Sequence, residues 1–383
     1  MKNKTKLISI VLFLSALMML VSCGKHEKVE KIMEDGVEVV INHIKFYKIK
    51  REPSTFTLEE EFVIDTERED LFEKGLGSVG EFEVDSEGNI YIVGFKNIEN
   101  FINKFDRKGN FITSFGRRGQ GPGELEWPSR PVVNGDKIAV TDVFKKLVIY
   151  SKGGRLINEI RFKTRIFKVE PLKNGKYLIY MPKRKFKTPE YLPYSLSLCN
   201  SEFEEIKELD VYKLPAMELQ VLFPFFMWRI SNGKIYIANE ERGYEIWVYD
   251  LEGNLIRKIR KEYRPIVATD EFKAKFLGPD YKEILKISKN KFPNYMPPLN
   301  YFFTADEGQL FVMTYEKGEN PGEYIYDIFN PNGVFIGRKS LNIPWAGKYF
   351  GPKYEKAKNN HLYCYREKES GFSELVVYKM NWE

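Results

Sequence analysis

Histidine and cysteine are scarce in this sequence. Its 383 residues contain three of each, which argues against a zinc enzyme, an iron–sulfur protein or a disulfide-stapled fold. Sustained helical periodicity is confined to one segment after residue 24. Aromatic residues, in contrast, reach 15%, with 29 Phe and 23 Tyr, and they favour strands over helices. A hydrophobic fraction of 43% and a charged fraction of 30% are typical of an ordered globular protein.

The first 24 residues have the pattern of a secretory signal. Three lysines within the first six residues precede an apolar run over residues 7–21. This run is shorter than the roughly 20 residues that a membrane-spanning helix needs. It ends in Leu20-Val21-Ser22-Cys23-Gly24, which resembles the bacterial lipobox. The resemblance implies that Cys23 becomes the acylated N-terminus and anchors the protein to a membrane. A plain secretory signal with a chance cysteine is the alternative.

Removal of residues 1–22 deletes three lysines and no acid, so the formal net charge falls from +6 to +3. A mildly basic protein outside the cytoplasm is not expected to bind nucleic acid. We expect a monomer in the bacterial cell envelope, at the outer membrane, with its periplasmic or surface exposure left open.

A turn followed by an apolar strand recurs six times after the signal. The copies lie at residues 85–93, 134–140, 174–179, 232–237, 306–312 and 359–364. A second unit, an aromatic residue followed by a polar turn and another strand, occurs at 105–112, 150–157, 249–256 and 329–336, with a degraded copy at 198–203. Gly and Asn tolerate the positive φ angles of tight hairpin turns. Two hairpins in a repeat of about 40–50 residues form a four-stranded blade, so six copies predict a six-bladed β-propeller.

The two ends of the propeller are expected to meet. The last repeat, residues 354–382, lacks an outer strand, whereas the strand at residues 55–64 precedes the first repeat without a partner. We predict that this early strand completes blade six, which removes an exposed sheet edge.

Residues 101–124 resemble the six-bladed, NHL-repeat-like propeller lipoproteins of gut-type and related bacteria, and residues 35–42 resemble the segment that precedes their first blade. The resemblance implies the fold over nearly the whole mature chain and says little about function. We divide the chain into a signal peptide (1–22), a tether and leading segment (23–52) and the propeller (53–383). A helical insertion at about 269–292, with Asp270 and Asp280 as helix caps, separates blades four and five. It packs on the side or rim of the ring, or covers the channel mouth as a lid.

Four glycines at positions 116, 119, 121 and 123 suggest a phosphate loop, but the prolines that follow leave no helix to complete one. We therefore predict an inter-blade loop. Four residues in or near it form a candidate site for an anion or a sugar ring: Arg117, Arg118, Trp127 and Arg130.

Charge is segregated along the middle of the chain. Residues 152–187 hold twelve Lys or Arg and two Glu, whereas residues 188–218 hold seven acids and two Lys. The basic stretch includes a candidate patch for an anionic partner, Lys183, Arg184, Lys185 and Lys187. Neutralisation by the neighbouring acidic stretch is the alternative.

The sequence contains no pair of histidines with metal-ligand spacing and no Gly-x-Ser-x-Gly elbow. The predicted turn starts Asp85 and Asp306 are expected to make Asx-turn hydrogen bonds, and we expect no metal and no cofactor. Cys199 and Cys364 fall in the opposite blades three and six, too far apart for a disulfide, and are predicted to be free thiols.

These observations favour a non-catalytic, lipid-anchored binding or scaffolding module with an unidentified protein or glycan partner. Its ligand surface is expected at one ring face with the channel mouth. A metal-dependent hydrolase or lactonase of the six-bladed type is the alternative, and it requires at least three carboxylate or amide side chains that converge on the axis. A structural subunit of an outer-membrane complex is a third hypothesis.

Overall fold

A computed structural model describes residues 29–49, 53, 55–94, 99–183, 191–215, 226–277, 280, 282–283, 286, 293–343 and 355–383. The predicted signal peptide and Cys23 lie outside these residues. The described residues form six β-sheets, each with at least four strands, and the inner strands of neighbouring sheets contact one another around the ring. The protein is a six-bladed β-propeller, as predicted.

The strands before the first blade are β1 (Glu30–Glu34), β2 (Val37–Asn42) and β3 (Phe56–Asp65). Blade one comprises β4 (Phe82–Val84), β5 (Ile90–Val93), β6 (Asn100–Phe105) and β7 (Phe111–Arg117). Blade two comprises β8 (Val132–Asn134), β9 (Lys137–Asp142), β10 (Lys146–Ser151) and β11 (Leu156–Arg161). Blade three comprises β12 (Lys168–Pro171), β13 (Tyr177–Pro182), β14 (Tyr191–Cys199) and β15 (Glu205–Pro215).

Blade four comprises β16 (Phe226–Ser231), β17 (Lys234–Asn239), β18 (Glu245–Asp250) and β19 (Leu255–Lys261). Blade five comprises β20 (Tyr301–Thr304), β21 (Leu310–Lys317), β22 (Tyr324–Phe329) and β23 (Phe335–Leu341). Blade six comprises β24 (Glu355–Lys358), β25 (His361–Glu367), β26 (Ser373–Trp382) and β3. The helical segments are Glu69–Glu73, a 3-10 turn at Glu240–Arg242, and Asp270–Leu277.

The ring closes where the sequence predicts. Strand β3 pairs antiparallel with β26, from Phe56 opposite Trp382 to Asp65 opposite Glu374. Phe56 is fully buried, and its ring lies 5.1 Å from that of Trp382 and 5.5 Å from that of Phe311 in blade five. The earliest propeller strand therefore covers the edge of the last blade with an aromatic contact.

The turn between the third and fourth strand of a blade packs against the outer strand of the preceding blade. In blade two this turn contains Gly154, which has a φ of +88° and lies so close to Phe115 that a Cβ atom would stand 2.7 Å from that side chain. Corresponding close approaches occur at Gly109, Gly253 and Gly333. The glycine of the recurring turn thus has two roles. It adopts the positive φ of the hairpin turn, and it allows close packing at the seam, the contact between this turn and the preceding blade.

Blade three lacks this glycine but keeps the turn. Asn200 Oδ1 accepts hydrogen bonds from the backbone N–H groups of Glu202 and Glu204. Phe203 occupies the glycine position with a φ of +64°, and its ring packs against Tyr177 and Phe162. In blade three an aromatic side chain therefore makes the contact that the turn backbone makes in blades one, two, four and five.

The leading segment forms a hairpin that the sequence did not indicate. Strand β2 pairs in parallel with β19, so β1 and β2 extend the sheet of blade four to six strands. Asn42 is fully buried at this junction. Its side-chain amide donates to the carbonyls of Arg260 and Gly333 at 3.2 and 3.0 Å and accepts from the Phe335 N–H at 2.8 Å. The segment is thereby held against blades four and five.

The structure describes the first part of the predicted helical insertion. Helix Asp270–Leu277 contacts blade five through Phe272 and Tyr315, whose ring centroids are 6.3 Å apart. Thr269 Oγ1 accepts from the Phe272 N–H, so Thr269 rather than Asp270 caps the helix, and the prediction for Asp270 was wrong. Most of the second predicted helix, at 280–288, lies outside the described residues. No helix in the described ranges is long and apolar enough to cross a membrane.

The two cysteines are buried free thiols in different blades. Cys199 ends β14 in blade three, and Cys364 lies in β25 of blade six. Burial raises the pKa of the Cys199 thiol to about 12. Both side chains therefore act as small apolar core residues.

Candidate ligand site in the axial channel

The inner strands surround a channel on the propeller axis. Its volume is about 360 Å³, and every blade contributes lining residues. Charged side chains from these strands reach the lining, chiefly Glu83, Arg130, Glu170, Arg229, Glu355 and Lys356. The channel is therefore a polar cavity inside an apolar fold.

Half of the channel wall is a continuous chain of charges from blade six to blade three. Lys356 Nζ lies 2.7 Å from Glu83 Oε1, and Arg130 is 4.0 Å from Glu83 and 3.9 Å from Glu170. Lys168 Nζ lies 2.8 Å from Glu170 Oε1. The same oxygen accepts a 3.0 Å hydrogen bond from the indole nitrogen of Trp228 in blade four. The chain links the inner strands across blade boundaries.

These cations keep two buried carboxylates ionised. Burial opposes ionisation of Glu83 and Glu170, but the facing charges outweigh it. Lys356 and Arg130 lower the pKa of Glu83, and Lys168 and Arg130 lower the pKa of Glu170 to about 2. Both glutamates therefore carry a full negative charge at neutral pH.

On the other side of the channel wall, a buried carboxyl, Glu355, is kept mostly neutral. The Arg229 guanidinium lies 4.9 Å from the ring centroid of Tyr301, and the Tyr301 hydroxyl is 3.4 Å from the backbone of Glu355. The side chain of Glu355 is buried, and its Oε2 has no hydrogen-bond partner among the described residues. Burial raises the pKa of Glu355 to about 8. This carboxyl is mostly protonated at pH 7 and offers the channel an O–H donor.

The turns at one mouth of the channel join three blades. Asp306 accepts from Lys358 Nζ at 2.6 Å and from the Asn359 N–H at 2.7 Å. Asn359 Nδ2 donates to the carbonyl of Ser86 at 3.3 Å. Asp85 makes the predicted Asx-turn bonds within its own turn, whereas Asp306 bonds to the next blade instead. Side-chain hydrogen bonds thus connect the turns of blades five, six and one at this mouth.

The loop after β7 is the predicted inter-blade loop, and it separates the four candidate residues found there. Arg130 is largely buried in the channel wall. Arg117 is 71% exposed and lies 3.9 Å from Glu124, and Trp127 is 70% exposed. Arg118 is exposed too. These three residues are not part of the channel lining, so the structure brings Arg130 alone to the cavity.

Of the basic candidate patch, only Lys183 lies within the described residues. Its Nζ is 2.5 Å from Glu208 Oε2 in β15, so the neighbouring acidic stretch neutralises at least this charge. Arg184, Lys185 and Lys187 lie outside the described residues.

The sequence analysis did not identify the channel glutamates. A signal did exist. Glu83 and Glu170 are each the single acid of the short strand that precedes a recurring turn. Arg229 is the single cation at the corresponding position of blade four. A charged residue at that point of a blade faces the axis.

The described residues contain no group of three His, Cys, Asp or Glu side chains placed to hold a metal ion. Three glutamates do line the channel, but Glu83 and Glu170 are each bound by a lysine and face Arg130. Cations that already occupy the carboxylates oppose the approach of a metal cation. The donor set fits an ion network better than a calcium site.

Comparison with known proteins supports the fold. Residues 73–216 match the family model DUF5128. That model is described as a 6-bladed beta-propeller, and the six described sheets show the same architecture. No curated protein matches the chain.

Two solved structures from Bacteroides are similar over most of the chain. One is a Bacteroides fragilis protein described as exported, with 12% identity, a TM-score of 0.54, and coverage of 90% of this chain and 99% of that chain. The other is a member of the DUF4221 family from Bacteroides vulgatus, with 12% identity, a TM-score of 0.52, and coverage of 87% and 99%. At this identity the likeness shows the fold alone.

Proposed function

We propose that this protein is a lipid-anchored binding module of the bacterial envelope and that its ligand occupies the axial channel. The observation that carries the proposal is the collection of charged side chains from the inner strands around one cavity. Arg130 and Glu355 in that wall each keep an atom without a hydrogen-bond partner among the described residues. Buried polar groups are usually satisfied, so a bound polar ligand gives these atoms a role.

The location rests on the signal-like N-terminus. The lipobox resemblance at Cys23 supports acylation after removal of residues 1–22, and the exported Bacteroides fragilis neighbour is consistent with a place outside the cytoplasm. We assign the protein to the outer membrane. The channel then binds a ligand within the envelope or at its surface.

Anchoring is tested by metabolic labelling with radioactive palmitate. The wild-type chain and a Lys25→Ala control are expected to carry label and to sediment with membranes. Cys23→Ser is expected to lose the label and to leave the membrane fraction. Equal membrane association of Cys23→Ser and wild type would contradict lipid anchoring.

Binding is tested by native mass spectrometry of protein released gently from its own membranes. A small bound mass is expected on the wild type and is expected to vanish in Ser231→Phe, which places a ring at the channel wall. Circular dichroism checks that the variant folds, and Ser201→Phe in an exposed turn serves as the control. Absence of any channel-dependent mass would count against the proposal.

A metal-dependent hydrolase is the alternative function that the sequence left open, although cations already face two of the three channel glutamates. Elemental analysis of the freshly purified protein separates the two functions. Stoichiometric calcium that is lost in Glu83→Gln would favour the hydrolase. A metal content no higher than that of a buffer blank would favour the binding module.

Scaffolding through the basic segment is the remaining form of the proposal, with a protein or glycan as partner. Charge reversal at Lys183, Arg184 and Lys185 tests it by co-purification from membranes. Loss of a partner would support scaffolding through this segment, whereas unchanged co-purification would oppose it.

A further inference from the structure

Two arginines in the channel wall have no carboxylate at hydrogen-bond distance among the described residues. The nearest acids to Arg130 lie at 3.9 and 4.0 Å, and its Nε has no hydrogen-bond partner there. Arg229 donates from Nη1 to the carbonyl of Trp228 at 2.8 Å and lies over the ring of Tyr301, and the carboxyl that its charge acts on is the buried Glu355. Both guanidinium groups line the same cavity.

The ionised acids of the channel, in contrast, each have a lysine partner at close distance. Four carboxylates of the lining have a lysine within 3.1 Å: Glu83 with Lys356, Glu170 with Lys168, Asp306 with Lys358 and Asp85 with Lys152. The fifth carboxyl, Glu355, is held mostly neutral by its burial. Arg130 therefore shares Glu83 and Glu170 with lysines that lie closer to them, and Arg229 faces the mostly neutral Glu355, while the remaining lining lysine, Lys173, is exposed to solvent.

A guanidinium group presents a planar fork of N–H donors that suits the two oxygens of a carboxylate or a phosphate. Inside a narrow cavity surrounded by protein, positive potential is stronger than at an open surface. The protonated carboxyl of Glu355 adds a hydrogen-bond donor instead of an opposing charge. An anion thus meets donors on both sides of the channel.

We propose that the axial channel binds a small anion, a carboxylate or phosphate group, between Arg130 and Arg229. This inference rests on the proposed function and specifies its ligand class. The tight lysine pairs keep the channel acids from competing with the ligand, and the two arginines recognise it.

Isothermal titration calorimetry at low ionic strength tests the assignment on the mature protein. The probes are succinate, inorganic phosphate and the neutral succinamide. Wild type is expected to bind succinate or phosphate saturably and not to bind succinamide. The anion that binds more tightly shows whether the site prefers a carboxylate or a phosphate group. Arg229→Gln and Arg130→Gln are each expected to weaken binding by roughly tenfold or more. Arg161→Gln, which alters a side chain 75% exposed on β11, serves as the control.

Arg229→Lys keeps the charge and loses the fork, so it should bind more weakly than wild type and more tightly than Arg229→Gln. This variant keeps the test decisive if the glutamine variants fold poorly. Equal affinity of Arg229→Lys and wild type, or no saturable anion binding by wild type, would overturn the anion assignment. If a channel-dependent mass is still found by native mass spectrometry, the binding function stands with a different ligand; if none is found, both fall.

Discussion

The inner and outer edges of the blades are held together by opposite kinds of contact. At the inner edge, buried charges on neighbouring blades bind one another, as in the chain from Lys356 to Glu170. At the outer edge, a tight turn presses backbone against an apolar side chain of the preceding blade, as Gly154 does on Phe115. Both kinds of contact hold neighbouring blades together, but only the inner contacts also place charged groups around a cavity.

The largest expected effect tests the inner edge. Glu170→Gln removes the charge that holds Lys168 and Arg130, and breaking a buried pair on one side costs about 3–4 kcal/mol. Urea unfolding at pH 7 measures the loss. Glu252→Gln is the matched control at the outer edge, because Glu252 is 60% exposed in its pair with Lys176, and we expect a much smaller loss than for Glu170→Gln. Equal losses for the two variants would contradict a structural role for the channel charges.

The next effect tests the outer edge. Gly154→Ala is expected to cost about 3 kcal/mol, because it combines an unfavourable φ of +88° with a clash against Phe115. Gly175→Ala has a similar φ of +80° with no atom within 4 Å of the new Cβ, so it isolates the backbone contribution at about 1 kcal/mol. Thermal unfolding compares the two variants, and Gly154→Ala should melt at the lower temperature. If the two variants melt together, the seam tolerates side chains and the close packing is not essential.

The leading hairpin extends the comparison to an edge that is both polar and buried. Asn42→Ala leaves the buried N–H of Phe335 without its acceptor and removes two bonds to carbonyls, at a cost of about 2 kcal/mol. Lys31→Ala in the same hairpin loses only an exposed pair with Glu38 and should be nearly neutral. Limited proteolysis reports whether the hairpin leaves blade four. Protection of the hairpin in Asn42→Ala would show that strand pairing alone retains it.

The sequence predicts the outer architecture well because its physics is local. A turn with Gly or Asn between apolar strands identifies each blade, and an unpartnered early strand predicts the closure by β3. Local patterns do not determine contacts between residues far apart in the chain. Asn42 meets Gly333 across 291 positions, and Glu83 meets Lys356 across a span that is nearly as long. The leading hairpin and the channel site therefore required the structure, and Arg130 was found beside three residues that do not share its cavity.

The smallest effect, taken per pH unit, concerns Glu170 and Glu355. Their contributions to stability should change with pH in opposite directions. The pKa of Glu170 is lower in the folded protein than in the unfolded chain. Its contribution to the free energy of unfolding is therefore fully present above pH 4.5 and is lost as the pH falls toward 2. The pKa of Glu355 is raised to about 8, so the unfolded chain releases a proton that the folded chain retains between pH 4.5 and 8. Stability should therefore fall as pH rises through this window.

Each pH unit between about 5.5 and 7.5 should remove about 1.4 kcal/mol through Glu355. Glu355→Gln has no proton to lose, so the difference in unfolding free energy between wild type and this variant isolates the effect from all other groups. Wild type should lose stability relative to the variant as pH rises, although Arg229 and Tyr301 face the same carboxyl. A difference that does not change with pH would mean that Glu355 is already ionised. The channel would then hold a third negative charge, and the two arginines would have an acid to share in place of an anionic ligand.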